Sequence, residues 1–218
     1  MAHRVIKPIE RPDLIKKAQD VEQKLFGMGN RCQHRDNFFP RLIDEFGFKI
    51  AAEIGVDAGV YSEILLNNSK LEKLYGIDIW QNSEKMWTTC QRLQPFIDTG
   101  RVVLQQGLSE QVVSQYEDGS LDFCYIDGDH SLEGIYKDVR LWVKKVKIGG
   151  VLAGHDYKDG RASGTKDWFG NYLRNKVKIV MDDFCPRYGY RLHTIQSRVL
   201  NWWFIKNKEC EAKLVLDY

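Results

Sequence analysis

Cysteine is scarce: Cys32, Cys90, Cys124, Cys185 and Cys210 lie far apart, with no C-x-x-C pair among them. That argues against a zinc ribbon or a disulfide framework and suits a reducing, cytoplasmic setting. Long apolar runs are missing too. None approaches the ~18 residues of a membrane span, and the opening MAHRVIKPIERPD lacks the apolar core of a signal peptide. No membrane partner is expected. Charge of one sign is also missing. The 32 Lys and Arg against 30 Asp and Glu leave a formal net charge of +2, without the clustered basic excess of a nucleic-acid surface. Repeats and low-complexity tracts are absent. What remains is an ordinary balance, 43% hydrophobic and 28% charged over 218 residues. It suits one large domain that needs no covalent staple.

The first 47 residues read as helical. Leu14, Ala18, Val21 and Leu25 recur at helical spacing behind Pro12, and Phe39, Leu42, Ile43 and Phe46 share one face of a second helix closed by Gly47. From Phe48 the pattern changes. FKIAAEI, LYGIDI, RVVLQ and LDFCYI read as strands, with helices expected over 61–66, 83–93 and 109–116 between them. Leu132, Ile135, Tyr136, Val139, Trp142, Val143 and Val146 form the clearest amphipathic helix, ended by Gly149-Gly150 before a fifth strand at 151–153. Val177 to Met181 and Val199 to Ile205 read as two further strands with no helix between them. The expectation is a doubly wound, Rossmann-like α/β fold. It has about seven mostly parallel strands, an antiparallel hairpin at the C-terminal edge and helices on both faces. Ligands on such sheets sit at the C-terminal strand ends. The hairpin and its aromatic strand leave room for a homodimer.

The loop after the first strand, Glu53-Ile54-Gly55-Val56-Asp57-Ala58-Gly59, is a glycine turn without the middle glycine of a dinucleotide fingerprint. Glu53 and Asp57 would repel a pyrophosphate and suit a ligand bearing an ammonium group. Asp78 ends the second strand, roughly 20 residues on, where a carboxylate accepts both ribose hydroxyls. Together these describe an S-adenosylmethionine site. The bland reading is a glycine turn with two solvated acids.

Over roughly residues 48–206 the motifs AAEIGVDAGVYS, LYGIDIW, LDFCYIDGDHSLEGIYKDVRLWVKKVKIGG and VLAGHDY resemble the class I S-adenosylmethionine-dependent methyltransferases. The closer resemblance is to the methyltransferase-24-type group and its metal-dependent O-methyltransferase relatives. It implies a helical N-terminal cap over 1–47 and a methyltransferase domain over 48–218. It implies that Glu53, Gly55 and Gly59 contact the methionine moiety, with Asp57 in the same acidic loop. Asp78 would hold the ribose, Trp80 would lie near the adenine and Ser109 at its edge.

Asp127, Asp129 and His130 follow the fourth strand, and His155 and Asp156 follow the fifth. Adjacent strand ends lie about 4.8 Å apart, so Asp127, His155 and Asp156 could share a magnesium or manganese ion that activates a substrate hydroxyl. The resemblance points to the same place, with a histidine departing from its carboxylate pattern. It also makes His130, three residues after Asp127, a candidate general base. Two plainer readings stand beside these: Asp129-His130-Ser131 as a helix cap, and His155 as a satisfied core histidine.

Other segments say less. The Asn/Asp-Pro-Pro motif of enzymes that methylate base amines is missing after the fourth strand, and Cys185-Pro186 reverses the order needed by cytosine-C5 enzymes. Tyr157 to Gly170 reads as a substrate loop or a plain surface loop. Arg31, His34 and Arg35 could reach over the site from the cap. The expected function is methyl transfer to a hydroxyl of a small-molecule acceptor, with a metal assisting. The alternatives are a metal-independent methyltransferase using His130, an NAD-dependent oxidoreductase on a similar fold, and a non-catalytic binding module.

Overall fold

Alternation along the strands decides how the layers form. Ala51 and Ala52, Phe123 and Cys124, Leu152 and Ala153, and Trp202 and Trp203 each send successive side chains into opposite apolar layers. A computed structural model of the chain describes residues 11–28, 34–158, 176–195 and 200–208. Its strands are β1 (Ile50–Ile54), β2 (Lys73–Asp78), β3 (Val102–Gln106), β4 (Leu121–Ile126), β5 (Val146–Gly154), β6 (His193–Ile195) and β7 (Asn201–Ile205). They form one seven-stranded sheet in the order β3-β2-β1-β4-β5-β7-β6. β1 to β5 pair in parallel, and β7 is antiparallel to both neighbours, β5 and β6. This is the expected doubly wound sheet, with β7 inserted inside β6 at the edge.

Helices α1 (Pro12–Gly27), α2 (Arg35–Phe46), α3 (Val60–Asn68) and α4 (Ser83–Asp98) cover one face. The short α5 (Ser109–Val112), then α6 (Leu132–Lys145) and α7 (Lys176–Tyr188), cover the other. Phe38 and Phe39 of α2 meet Trp203, Phe123 and Tyr125, so α2 belongs to the sheet's own core. Ring contacts of this kind add about 0.5–1.5 kcal/mol each beyond area burial.

Two expectations are corrected. Val177 to Met181 is helix, not strand. Val177, Val180, Met181 and Phe184 are the buried stripe of α7, and a five-residue apolar window is too short to show that period. The sixth strand is instead the three-residue HTI segment at His193–Ile195. The amphipathic helix also stops earlier, at Lys145, because Val146 already begins β5. The strand then bulges. Gly149 adopts φ +86°, and a side chain at Gly150 would meet the Asp122 carbonyl at 2.6 Å. No helix among the described residues is long and apolar enough to cross a membrane. Cys90, Cys124 and Cys185 are free thiols.

Candidate active site

The parallel register aligns the C-terminal strand ends. Ile54 is opposite Ile77 on one side and Ile126 on the other, and Ile126 is opposite Gly154. Backbone bonds lock the residues just beyond: Gly55 N–H donates to Ile77 O (2.8 Å), Asp127 N–H to Ile54 O (2.7 Å) and His155 N–H to Ile126 O (3.1 Å). β1 and β4 are adjacent although three strands apart in sequence order, so the chain reverses direction there and opens a crevice.

Backbone strain gathers at the same edge. Among the described residues, Asp57, Trp80 and Asp156 are the non-glycine residues with positive φ, at 49°, 34° and 61°, and they follow β1, β2 and β5 respectively. Such conformations cost on the order of 1–3 kcal/mol each and persist where surroundings enforce them. Gly55 is required on two counts. Its φ is +88°, and any Cβ would collide with the Asp127 carbonyl.

Two clefts meet here. The larger, ≈ 680 Å³, runs from Gly55 and Asp57 past Asp78, Ile79 and Ser109 to Asp138. Asp78 Oδ2 accepts from Asp57 N–H and its Oδ1 from Trp80 N–H, both at 2.8 Å, which fixes the carboxylate at the mouth of β2. Ser109 lines the cleft, but its hydroxyl already donates to Asp138 Oδ1 (2.6 Å) and accepts from Trp142 Nε1 (2.7 Å). Trp80 does not line the cleft. Its indole is buried and donates to the Asp57 carbonyl (2.8 Å), and half-exposed Ile79 takes its place on the wall. Asp57 pairs with Lys85, an ion pair exposed on both sides. Gly59 begins α3 at φ +74°.

The smaller cleft, ≈ 340 Å³, is lined by Arg35, Glu53, Tyr61, Asp127 and His155, and shares Gly55, Asp57 and Asp127 with the first. Glu53 is buried and accepts a short hydrogen bond from the Ser62 hydroxyl. Burial dominates it and pushes the carboxyl up to about 8, against the Ser62 bond. Asp127 is the hub. Its Oδ1 faces His155 Nδ1 (3.3 Å) and His130 Nε2 (3.4 Å), and its Oδ2 accepts from Arg35 Nη1 (3.1 Å). Burial works to raise its carboxyl, but the two imidazoles and the guanidinium outweigh burial and hold it below the ordinary range. His130 Nδ1 also faces Asp156 Oδ2 (3.3 Å), and the bond to Asp127 leads the causes that raise its imidazole. The helix-cap reading is partly met, whereas His155 lines the smaller cleft. Ser131 caps α6 by accepting from Gly134 N–H (2.9 Å), and Asp129 holds Ser131, while His130 turns back toward Asp127.

The expected metal centre is not assembled. Among the described residues no three His, Cys, Asp or Glu side chains are arranged to hold an ion. The carboxylates meant for it already face protein cations: Asp127 faces Arg35, and Asp156 Oδ1 faces Lys158 Nζ at 2.7 Å. A divalent ion would share these carboxylates with both cations.

Three lining or supporting residues have no role in the sequence reading. Tyr61 stacks under the Arg35 guanidinium (4.5 Å), and its buried hydroxyl has no partner among the described residues. Lys158 lies beyond the last recognisable strand residue. Asp138 did leave a signal, an acid on the apolar stripe of α6 between Ile135 and Trp142. Arg31 and residues 159–170 of the glycine-rich loop lie outside the described residues; His34 caps α2 by accepting from Asp36 N–H.

Residues 52–157 match the family model described as a methyltransferase domain. An uncharacterised protein of Acanthamoeba polyphaga mimivirus is 25% identical over 149 residues, 66% of this chain and 65% of that protein. The match thus spans just under two thirds of that relative's length. Among solved structures, an O-methyltransferase from Bacillus cereus in complex with S-adenosylhomocysteine superposes with a TM-score of 0.63 at 14% identity, covering 93% of this chain and 94% of that one. TomG from Streptomyces achromogenes, an O-methyltransferase of tomaymycin synthesis in complex with S-adenosylmethionine, gives 0.63 at 14% identity and 92% coverage of both chains. At these identities the likeness is one of fold.

Proposed function

From the match of residues 52–157 to the model of a methyltransferase domain, we propose that the chain transfers a methyl group from S-adenosylmethionine to a hydroxyl of a small-molecule acceptor. The observation that carries this reading is the meeting of the two clefts. The acid-edged larger cleft fits a nucleoside, the smaller one holds proton-accepting groups, and both open on Asp127. The relatives solved with adenosyl ligands support the choice of cofactor. The acids of the glycine loop support it over a dinucleotide, since they suit an ammonium and oppose a pyrophosphate.

S-adenosylmethionine, when bound, supplies a methyl group on a positively charged sulfur. The chain's own part divides as follows. Gly55 lets the backbone approach closely, and Asp78 accepts the ribose hydroxyls. Glu53, with Asp57, faces the ammonium of the methionine moiety, and a positive ligand there offsets the burial of its carboxylate. On the acceptor side His130 takes the hydroxyl proton when the acceptor displaces one of the two carboxylates that face its ring nitrogens. The resulting imidazolium lies between Asp127 and Asp156, two carboxylates that stabilise it. Arg35 fixes Asp127 from the opposite side, anchored on the rings of Tyr61 and Tyr125. Helix α2 thereby serves as a cap that completes the acceptor site. No step is assigned to a metal, because Arg35 and Lys158 answer the charges an ion would meet.

The test is to incubate the protein with S-adenosylmethionine and a panel of sugars, catechols and polyketide-like alcohols, with and without chelator, and to measure S-adenosylhomocysteine. The expected result is product with at least one hydroxyl acceptor, undiminished by chelator. Product only on added magnesium or manganese would overturn the metal-free reading. Methylation confined to amines would overturn the hydroxyl acceptor.

A further inference from the structure

The Asp78 carboxylate is held by a closed ring of hydrogen bonds, and the reading above leaves two side chains around that ring without a task. Asp57 N–H donates to Asp78 Oδ2 and Trp80 N–H to Asp78 Oδ1, both at 2.8 Å. A side chain closes the ring: the Trp80 indole donates back to the Asp57 carbonyl, also at 2.8 Å. Thr89 of α4 reaches the same carbonyl, with its hydroxyl 2.6 Å away. A threonine inside a helix ordinarily returns its hydroxyl to the carbonyl four residues back. That carbonyl, on Lys85, is 2.8 Å away, and the shorter contact is the one to Asp57.

Packing alone explains neither side chain. Trp80 is 3% exposed, yet it belongs to neither of the two apolar layers on the sheet. It holds φ +34°, as Asp57 holds φ +49°, conformations that non-glycine residues keep only where neighbours enforce them. Thr89 is fully buried at a place where valine would fill the same space. Buried donors need an acceptor, and here two converge on one carbonyl, which has two lone pairs to receive them.

The bonds act in sequence. Donors on its carbonyl keep Asp57 in its strained turn, and the turn keeps its N–H on Asp78. Each Asp78 oxygen then gives one lone pair to an amide and has another for a ribose hydroxyl. Without the carbonyl donors Asp57 relaxes, its N–H leaves, and the carboxylate is free to rotate away from the two hydroxyls.

We propose that Trp80 and Thr89 are positioning residues: through the Asp57 carbonyl they hold the Asp78 carboxylate in the orientation that receives the ribose. This rests on the S-adenosylmethionine reading and deepens it. It also gives the inward turn of Trp80 a function in place of the adenine contact expected of it.

The experiment is calorimetric titration of the full chain with S-adenosylhomocysteine and with its 2′-deoxy analogue, beside a thermal melt of each variant. The wild type should favour the ribose form roughly tenfold or more, the scale of a hydrogen bond to a charged group. Thr89→Val keeps the shape and removes the hydroxyl, and Trp80→Phe removes the indole donor. Each should weaken the ribose form by roughly threefold to tenfold, the scale of one neutral hydrogen bond, and leave the deoxy form nearly unchanged. Thr89→Ser, which keeps the donor, should restore the wild-type preference. The two variants lie on different elements, so one that folds is enough for the test. Loss of affinity for both ligands alike, with their ratio kept, would mean a merely structural role and overturn the proposal. So would an undiminished ribose preference in the variants. Equal binding of both ligands by the wild type would remove the ribose role of Asp78 and the proposal with it. Failure of the wild type to bind either ligand would instead bring down the cofactor reading itself.

Discussion

The halves of the site proposed for the nucleoside and for the acceptor are built by different means. The nucleoside half is made by backbone. Gly55 and Asp57 turn at positive φ after β1, Trp80 does so after β2, and Asp78 is clamped by two amide donors. The acceptor half is made by side chains from separate elements. Arg35 comes from α2, Asp127 and His130 from the loop after β4, and Asp156 and Lys158 from beyond β5. A backbone turn tolerates few residue types, whereas a side-chain cluster can be rebuilt one charge at a time. The first half is therefore the more rigidly specified, and the second is where relatives can diverge in mechanism.

Substitutions should separate the halves. The largest effect is expected from His130→Gln, which should lower turnover about 10²–10⁴-fold, the usual contribution of a positioned acid-base group. Cofactor affinity should stay unchanged by calorimetry, and a parallel loss of affinity would mean that the halves are not independent. Gly55→Ala should act on the other side. Strain and collision with the Asp127 carbonyl should cost roughly 2–4 kcal/mol in denaturant melts and abolish cofactor binding. Asp78→Asn should weaken S-adenosylhomocysteine binding by roughly 10–100-fold, since one charge-assisted acceptor is lost. Little change would remove the ribose role.

The effect spread over the widest range of conditions concerns pH. Glu53 has its folded value raised to about 8 from the ordinary 4.5, so the ligand-free fold binds a proton that the unfolded chain has released. Its contribution is fully present below 4.5 and is lost as pH rises through about 8, at up to about 1.4 kcal/mol per pH unit. Glu53→Gln should flatten that decline in melts of the ligand-free protein while weakening the cofactor. An unaltered pH profile would mean that Glu53 stays ionised. Asp127 is displaced the opposite way, so its contribution is held above the ordinary carboxylate range and lost only in acid.

The same contrast explains what could be read from the chain alone. Strand periods, glycine turns and the acids closing β1, β2 and β4 are local signals, and they located the sheet and its ligand edge. The helix over Lys176–Tyr188 was hidden because its first five residues are an apolar, partly β-branched run whose period shows only when Phe184 is included. Arg35 could be suspected from its segment, but its contact with Asp127 spans the sheet and leaves no spacing to detect. That contact also sets a protein cation beside Asp127, one of the three residues expected to share a metal, which a count of acids and imidazoles alone does not reveal. Trp80 was expected at the adenine because it follows Asp78, yet a positive φ turns it inward toward the Asp57 carbonyl. Asp138 was legible in principle, as a charge on an apolar stripe.

The central claim is that the cleft beside Asp78 takes an adenosyl sulfonium. The most direct test is thermal unfolding with S-adenosylmethionine, S-adenosylhomocysteine and NAD. At about 100 times its dissociation constant a ligand adds roughly 2.7 kcal/mol, so a clear rise in melting temperature is expected with the two adenosyl ligands and none with NAD. A rise with NAD alone, or with none of the three, would contradict the account.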